Sequence, residues 1–286
     1  VAVGDPAGLA PHGLVAAAFR QAEQRGVIRI RGLHLRGADM QGISLRLKNL
    51  QHSDLTGANM HNARLNKVGF DFSVLDGVDF EGSILEKVDL RRTTSVKGIR
   101  WFEVIFDGVQ LPELERIGER CVYHGETDDS VPGKTSQDKA EFVYRNLKEQ
   151  YKLKGDHDTS GLFYELEMDM RRVTGHATDR AWFTALWLMC GYGERPLRAV
   201  FFSLAVVVGY ALAYMPLQLI GPNGPDHPIH GDFADGLYFS IVTFATLGYG
   251  DIRPEGLAKW LAVSEACLGA FTIALFVFVF CRRMVR

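Results

Sequence analysis

One run of nine residues, Thr243 to Asp251, gathers the residue types that can hold a bare cation on backbone oxygen. It reads Thr-Phe-Ala-Thr-Leu-Gly-Tyr-Gly-Asp. A chain that stacks several carbonyl oxygens toward one axis must alternate conformations that glycine alone adopts without penalty, and Gly248 and Gly250 flank Tyr249 to supply them. Thr246 offers both a hydroxyl and a carbonyl at the inner end of such a stack. Rings of these oxygens can replace the water shell of a dehydrated ion. The alternative is a glycine-rich turn between two apolar segments. Other chemistry in the chain is sparse. The four cysteines, Cys121, Cys190, Cys267 and Cys281, show no pairing pattern or zinc spacing. Cys121 and His124 form a lone Cys-x-x-His that lacks a second ligand pair. No nucleophile, metal or phosphate-loop constellation emerges, so an enzyme is not expected and no cofactor is implied.

The elements that must position the run are two long apolar segments. Ala199 to Ile220 carries no charge over 22 residues, and Trp260 to Cys281, also 22, carries only Glu265. Each is long enough to cross a bilayer. Arg195 and Arg198 precede the first; Arg282, Arg283 and Arg286 follow the second. Between them Asp226, Asp232, Asp235, Asp251 and Glu255 outnumber Arg253 and Lys259. This asymmetry predicts both termini in the cytoplasm and the connecting loop outside, in the plasma membrane. Asp232 to Ala245 is expected to form a short helix with Asp232 or Asp235 near its start. Irregular backbone at membrane depth survives only if protein buries it or it lines a watery path, which calls for several subunits around it.

The run Thr246 to Asp251, Thr-Leu-Gly-Tyr-Gly-Asp, closely resembles the selectivity filter of potassium channels, and its setting resembles their two-span pore domain. That resemblance implies a fourfold assembly with three identical subunits, a lipid bilayer, and K+ as the only metal, bound at the filter. It implies that Thr246, Leu247, Gly248 and Tyr249 point carbonyls at the ions and that Gly250 permits the outer turn. Tyr238 and Phe239 match aromatic positions that brace the filter, and Asp251 matches an outer acidic residue that holds its geometry. Leu247 replaces the more usual Val or Ile. Val242 stands where some relatives place a glutamate that pairs with the outer aspartate, so Asp251 must find another partner. Glu265, 14 residues after Asp251, is expected to face the bundle interior. It would either bond the pore helix or filter backbone, or pack as a neutral acid between subunits. Gly269 falls where relatives have a flexible glycine; a hinge and close helix packing are both open. Phe276, Phe278 and Phe280 crowd the cytoplasmic end, where an apolar gate could dewet. No span carries arginines at every third position, so no voltage sensor is expected.

The front of the chain has a different period. Apolar residues recur every five positions from Ile30 through Leu35, Met40 and onward to Leu90, with a small or β-branched residue two positions earlier and Asp or Asn between them. Neither a helix nor a flat strand has this period. A coil that turns a corner every five residues does, with four repeats per coil stacked as a solenoid. The pattern resembles the pentapeptide-repeat family, which implies a right-handed quadrilateral β-helix. Lys48 sits in a small-residue slot, so a bulge is expected there. After Leu90 the phase slips by one and resumes at Val96, Trp101, Phe106 and Leu111. About four coils at about 4.8 Å each give a stack roughly 20 Å tall. Ala10 to Arg25 is expected to plug the first coil as a helix, and Pro112 to Arg120 to open a helix that closes the last. Residues 28–111 hold 12 Lys/Arg against 10 Asp/Glu, which argues against mimicry of nucleic acid.

From Lys139 the pattern turns helical. Ala140, Val143, Leu147 and Tyr151 form one apolar stripe, and Leu162, Phe163, Leu166, Met170 and Val173 another. Gly155 and Asp156 break the first helix, and Asp158 to Ser160 are expected to cap the second. This hairpin should pack on the solenoid or on a neighbouring subunit. Thr178 is expected to cap a third helix, rich in Trp and Phe, that lies in the membrane interface or against the hairpin. Gly191, Tyr192 and Gly193 repeat the Gly-Tyr-Gly letters outside the two spans, as a helix stop.

The 286 residues carry a formal net charge of −2, so nothing in the balance points to nucleic acid. Val1 is not methionine, and one or both ends are expected to be trimmed. The expected domains are 1–27, a capping helix; 28–120, the cytosolic repeat solenoid; 121–195, the hairpin and interfacial helix; and 196–286, the pore domain. The function this implies is a tetrameric potassium-selective channel whose repeat domain is a scaffold or a regulator for an unknown cytosolic protein or ligand. The alternative is a membrane-tethered scaffold with a non-conducting or poorly selective cation pore.

Overall fold

The structure is a computed structural model that describes residues 19, 21, 29–46, 48–114, 136–217, 219–221, 228–229 and 232–284. The chain divides into two compact units, one ending at Gly175 and the other beginning at His176.

In the first unit, short parallel strands stack on the five-residue period. Arg29–Arg31 (β1) pairs with Asn49–Gln51 (β3) in parallel, and Ser44–Arg46 (β2) pairs likewise with Arg64–Asn66 (β4). Arg64 in turn faces Ile84 of Ile84–Glu86 (β5), so one coil takes 20 residues, four repeats. The apolar residue of each repeat, such as Leu55, Met60, Leu65 and Phe70, is buried in one continuous core. Each such burial contributes roughly 1.5–3 kcal/mol. The slot two positions earlier admits serine because its hydroxyl is satisfied there. Ser83 Oγ donates to the Met60 carbonyl at 2.7 Å and accepts from the Ala63 amide at 3.0 Å.

Lys48 causes no bulge. Asn49 pairs with Arg29 on one side and Gly69 on the other, both at the 20-residue step, and the Lys48 carbonyl accepts from the Gly69 amide at 3.0 Å. The phase slip after Leu90 is one inserted residue. Gly69 faces Asp89 at a step of 20, whereas Val74 faces Ser95 and Ile84 faces Ile105 of Ile105–Asp107 (β6) at 21. The extra residue is therefore absorbed between Asp89 and Ser95.

Of the expected N-terminal plug, only Phe19 and Gln21 are described; Phe19 is buried in the solenoid core. The expected closing helix is described only as far as Leu114, and Cys121, His124 and the 125–133 loop lie outside the described residues.

The hairpin is Ser136–Lys154 (α1) and His157–Thr174 (α2). Its stripe of Ala140, Val143, Leu147, Tyr151 and Phe163 joins the solenoid core, so the hairpin packs on the solenoid. Tyr151 Oη donates to the Pro112 carbonyl at 2.7 Å and Lys154 Nζ to Leu111 at 3.2 Å, which caps carbonyls after the last coil. Two expectations fail here. The cap of α2 is Asp156, whose carboxylate accepts from the Thr159 amide at 3.1 Å, because it stands three residues ahead of an open N–H. Val173 is exposed, whereas Glu167 is buried and held by Arg145, Lys148 and Arg171 at 3.1, 2.8 and 2.9 Å.

The second unit starts with Ala177–Cys190 (α3). His176, not Thr178, precedes its first turn, and no side chain caps it. Pro196–Tyr214 (α4) and Leu257–Met284 (α6) are both long and apolar enough to cross a membrane. Leu197, Phe201, Leu204, Trp260, Val263 and Phe278 lie exposed along them, which suits lipid and not a watery surface. The first apolar helix ends at Tyr214 and not at Ile220, because Pro216 lacks the N–H that would continue the ladder. Leu219–Ile220 (β7) instead pairs antiparallel with Pro228–Ile229 (β8) and Arg253–Pro254 (β9). Between the two long helices lies Phe233–Phe244 (α5).

Candidate functional site: the loop after α5

Helix α5 starts where Asp232 accepts from the Ala234 amide at 3.0 Å, satisfying one of the open donors of the first turn. Two glycines let it sit backbone to backbone with its neighbours. A Cβ at Gly236 would lie 2.9 Å from the Ala211 carbonyl oxygen of α4. A Cβ at Gly269 on α6 would collide with the Phe244 carbonyl oxygen at the end of α5. Gly269 is therefore a site of close packing.

The end of α5 launches the Thr246–Asp251 loop. The Ala245, Thr246 and Leu247 amides donate to Ile241, Thr243 and Val242 carbonyls at 3.0, 3.0 and 2.9 Å. Thr246, Gly248 and Gly250 have φ of +55°, +56° and +77°, while Leu247 and Tyr249 stay outside the left-handed region. Residues that alternate in the sign of φ turn their carbonyls to one side of an extended chain. A β-branched residue in the left-handed region is strained by about 1–3 kcal/mol, so Thr246 is held there by the bonds around it. A Cβ at Gly248 or Gly250 would meet nothing within 4 Å, so glycine serves backbone conformation at both. Within this one chain the side chains of Leu247 and Tyr249 are 55% and 67% exposed.

The Gly-Tyr-Gly at 191–193 folds differently. Gly191, Tyr192 and Gly193 are all left-handed, at φ +56°, +57° and +87°, and the Gly191 amide closes α3 on Leu186 and Trp187 carbonyls. Same-sign residues wind into a turn and cannot present a carbonyl row. After it, Arg282 donates to Glu194 at 3.2 Å.

Behind the loop, Tyr238 Oη donates to Asp251 at 2.7 Å. This is the partner Asp251 needed in the absence of a glutamate at Val242. That bond, with help from the Ile252 amide at 3.0 Å, holds the Asp251 carboxyl below the usual carboxylate range despite some desolvation. Arg253 Nε reaches the Gly250 carbonyl at 3.3 Å, and β9 ties the outer turn to β7. Phe239 packs edge-on to the Tyr214 ring, centroids 4.9 Å apart.

Glu265 is fully buried and bonds α5, though not the loop backbone. Its carboxyl meets Ser240 Oγ and accepts from Tyr214 Oη at 2.7 Å. Ser240 and Tyr214 escaped the sequence reading; the available signal was a lone hydroxyl in an apolar helix and a tyrosine at the end of a span. Phe276 and Phe280 stack at 5.9 Å, while Phe278 and Phe280 are exposed. Burial pushes the Cys190 thiol up, away from nucleophilic use. Among the described residues, one cluster of ligating side chains lies elsewhere, at His61, Asp79 and Glu81, with ligand atoms within 4.8 Å. Lys139 and Arg100 already supply cations to it, at 3.8 Å from Glu81 and 3.6 Å from Asp79.

The ion channel family profile matches residues 203–286, which contain the 246–251 loop, and the pentapeptide-repeat profile, in 8 copies, matches residues 34–71. Protein LctB of Bacillus caldotenax is 32% identical over 104 residues, 34% of this chain and 70% of that protein. The chain belongs to the ion channel family. LctB of Geobacillus stearothermophilus is 32% identical over 101 residues, 32% of this channel chain and 67% of its own. The two pore potassium channel c of Oryza sativa subsp. japonica is 40% identical over 76 residues, 26% of this chain and 16% of that one. The channel thus carries a potassium-channel pore domain behind a pentapeptide-repeat region. Two solved structures are similar over 29% of the chain. They are QnrB1, a plasmid-mediated fluoroquinolone resistance protein, in trypsin-treated form (14% identity, TM-score 0.19), and HetL of Nostoc sp. strain PCC 7120 (15%, 0.20). This chain spans about half the length of each, 57% and 49%.

Proposed function

We propose that four copies of this chain surround one potassium-selective pore and conduct K+ passively, with no covalent chemistry. The observation that carries the reading is the alternation of left-handed residues at Thr246, Gly248 and Gly250 in a loop launched between two membrane-length helices. In this reading α5 is a re-entrant pore helix. Thr246, Leu247, Gly248 and Tyr249 present carbonyls to the ions, Thr246 adds its hydroxyl, and Gly250 makes the outer turn. One chain supplies one quarter of each ring, so closed fourfold symmetry is part of the mechanism. The exposure of Leu247 and Tyr249 in a single chain supports this, since three more subunits would cover them. Tyr238, Phe239, Asp251 and Glu265 hold the filter from behind, and Phe276, Phe278 and Phe280 form the apolar inner end.

Both termini face the cytoplasm and the 246–251 loop faces outward across the plasma membrane. The first unit is a right-handed quadrilateral β-helix that acts in the cytosol as a scaffold or regulator of the pore, toward a protein or ligand that its surface selects. Potassium flux from liposomes holding the purified full chain tests the reading, with Gly250→Asp as the control. Flux in the wild type and none in the control is expected, with a reversal potential that follows the potassium gradient against sodium. No flux, or a reversal potential indifferent to which cation is present, overturns it in favour of a tethered scaffold or an unselective pore.

A further inference from the structure

The hydrogen-bond count around Glu265 is not closed by an ionised carboxylate. Val207 and Tyr214 on α4, Ser240 on α5 and Glu265 on α6 meet in one buried cluster. Three close contacts there each need a hydrogen: those to both carboxyl oxygens and the one to the Val207 carbonyl, which as a mid-helix group also has its partner within α4. Two hydroxyl protons are available, one on Tyr214 and one on Ser240. Tyr214 Oη gives its proton to Glu265 Oε2 at 2.7 Å. Ser240 Oγ lies 2.9 Å from the Val207 carbonyl oxygen and also against Glu265 Oε1, yet has one proton for the two. With an ionised Glu265, one of those contacts would be two lone pairs facing each other without a hydrogen.

We infer that Glu265 carries a proton on Oε1 in the folded channel and donates it to Ser240 Oγ, which donates onward to the Val207 carbonyl. Each of the three contacts then holds one hydrogen, and a neutral acid ties α4, α5 and α6 together. The inference rests on the pore reading and deepens it. The surroundings agree. Glu265 has no exposed surface, and no Lys, Arg or His forms an ion pair with it among the described residues. Tyr214 is the titratable group that touches it; Tyr210, the next tyrosine on α4, bonds Ser264 at 2.9 Å, and Tyr238 on α5 is engaged with Asp251. An uncompensated carboxylate at membrane depth is strongly disfavoured.

Ser240 stands one helical turn after Gly236, where α5 lies against the α4 backbone, and six residues before Thr246. The bond chain therefore fixes α5, and through it the start of the carbonyl row. Ser240, Tyr214 and Glu265 are positioning residues in this sense and touch no ion.

Two measurements on the purified full chain in lipid test this. Infrared difference spectra of wild type against Glu265→Gln should show a protonated-carboxyl C=O stretch in the wild type at neutral and alkaline pH, lost in the variant. Loss of carboxylate stretches instead would overturn the inference, and this arm needs no conduction. In liposomes, Glu265→Gln should keep the wild-type reversal potential, because its amide oxygen can accept from Tyr214 while one of its two N–H groups donates to Ser240. Ser240→Ala and Glu265→Ala should shift it toward sodium permeability, by about fivefold in the permeability ratio for each net hydrogen bond lost. A glutamine variant as damaged as the alanine variant, or alanine variants that match wild type, would refute the positioning role. A silent wild-type channel would defeat the pore reading and leave the infrared result standing.

Discussion

Gly269→Ala separates the two uses of a glycine in α6 by the sign of its effect. If the glycine served only as a flexible point, alanine would favour the helix by up to about 1 kcal/mol and stabilise the protein. The geometry predicts the reverse. A Cβ at Gly269 would be driven into the Phe244 carbonyl oxygen and would also lie 3.0 Å from its carbon and 3.1 Å from its Cα. These are backbone atoms at the end of α5, bound into the launch of the 246–251 loop, so no side chain can swing aside. Overpacking of that kind costs about 1–3 kcal/mol, which exceeds the propensity gain over most of its range. The net is a destabilisation of up to about 2 kcal/mol, and a domain of about 150–250 residues loses about 2–4 °C of Tm per kcal/mol. Thermal unfolding of the purified protein in one detergent checks it, with two comparison variants. Gly236→Ala, whose Cβ would lie 2.9 Å from the Ala211 oxygen, should lower Tm similarly. Gly209→Ala on α4, with nothing within 4 Å of its Cβ, should leave Tm equal or raised. A Gly269→Ala protein as stable as wild type or more so would refute close packing and restore the hinge.

Three further outcomes follow from the same geometry. Trp101→Phe removes an indole N–H that is buried with no acceptor among the described residues, while keeping a ring to stack on Phe80. Relief of an unsatisfied donor is worth about 1–3 kcal/mol against a smaller packed volume, so stability in denaturant titration should change little, far less than for Trp101→Ala. Ser83→Ala removes the hydroxyl that bridges the Met60 carbonyl and the Ala63 amide; these two keep their bond to each other at 3.0 Å, so the loss should cost only about 0.5–1.5 kcal/mol of solenoid stability, measured by the same titration. Tyr238→Phe frees Asp251, whose carboxyl that bond holds low. The bond's support is complete above the ordinary carboxylate range and is lost as pH falls through the lowered native value. Flux through the variant should therefore fail at a less acidic external pH than flux through wild type, and identical acid profiles would show the bond to be idle.

What the letters revealed depended on whether a feature is periodic. The solenoid repeats one rule, so the 20-residue coil, its core and the slip after Leu90 were all legible, and the slip even to its one-residue size. Lys48 misleads because a large residue in a small slot suggests distortion, yet Lys48 is buried and the ladder runs through it unaltered. The expected caps miss by two to four residues at α2 and by two at α3, since several polar residues compete for each start and only geometry selects among them. The first apolar helix was read too long because hydropathy continues through Leu219 and Ile220 while Pro216 has already ended the hydrogen-bond ladder. Glu265 was identified as the out-of-place charge, but its partners were not, because Ser240 and Tyr214 come to it from 25 and 51 residues away.

The two Gly-Tyr-Gly segments show where the remaining information lies. Their letters are identical, so composition and propensity cannot tell them apart. At 191–193 the tyrosine is left-handed with its glycines, and the chain coils into the stop of α3. At 248–250 the tyrosine is not left-handed, and Thr246 accepts a strained φ so that the sign alternates from there outward. Such strain persists only where the surroundings over-determine it. Around Thr246 they do so from both ends. The Leu247 and Thr246 amides return to α5 behind it, and Tyr238 with Arg253 grips Asp251 and the Gly250 carbonyl ahead of it. The segment at 191–193 is also fastened, through Glu194 and Arg282, but its strained residue is Tyr192, whose left-handed φ continues a turn and sets up no alternation. A threonine kept in the left-handed region by a helix on one side and an anchored aspartate on the other is the feature that the motif alone could not reveal. It ties the carbonyl row to α5, and so to the acid on α6 that bonds α5 at Ser240.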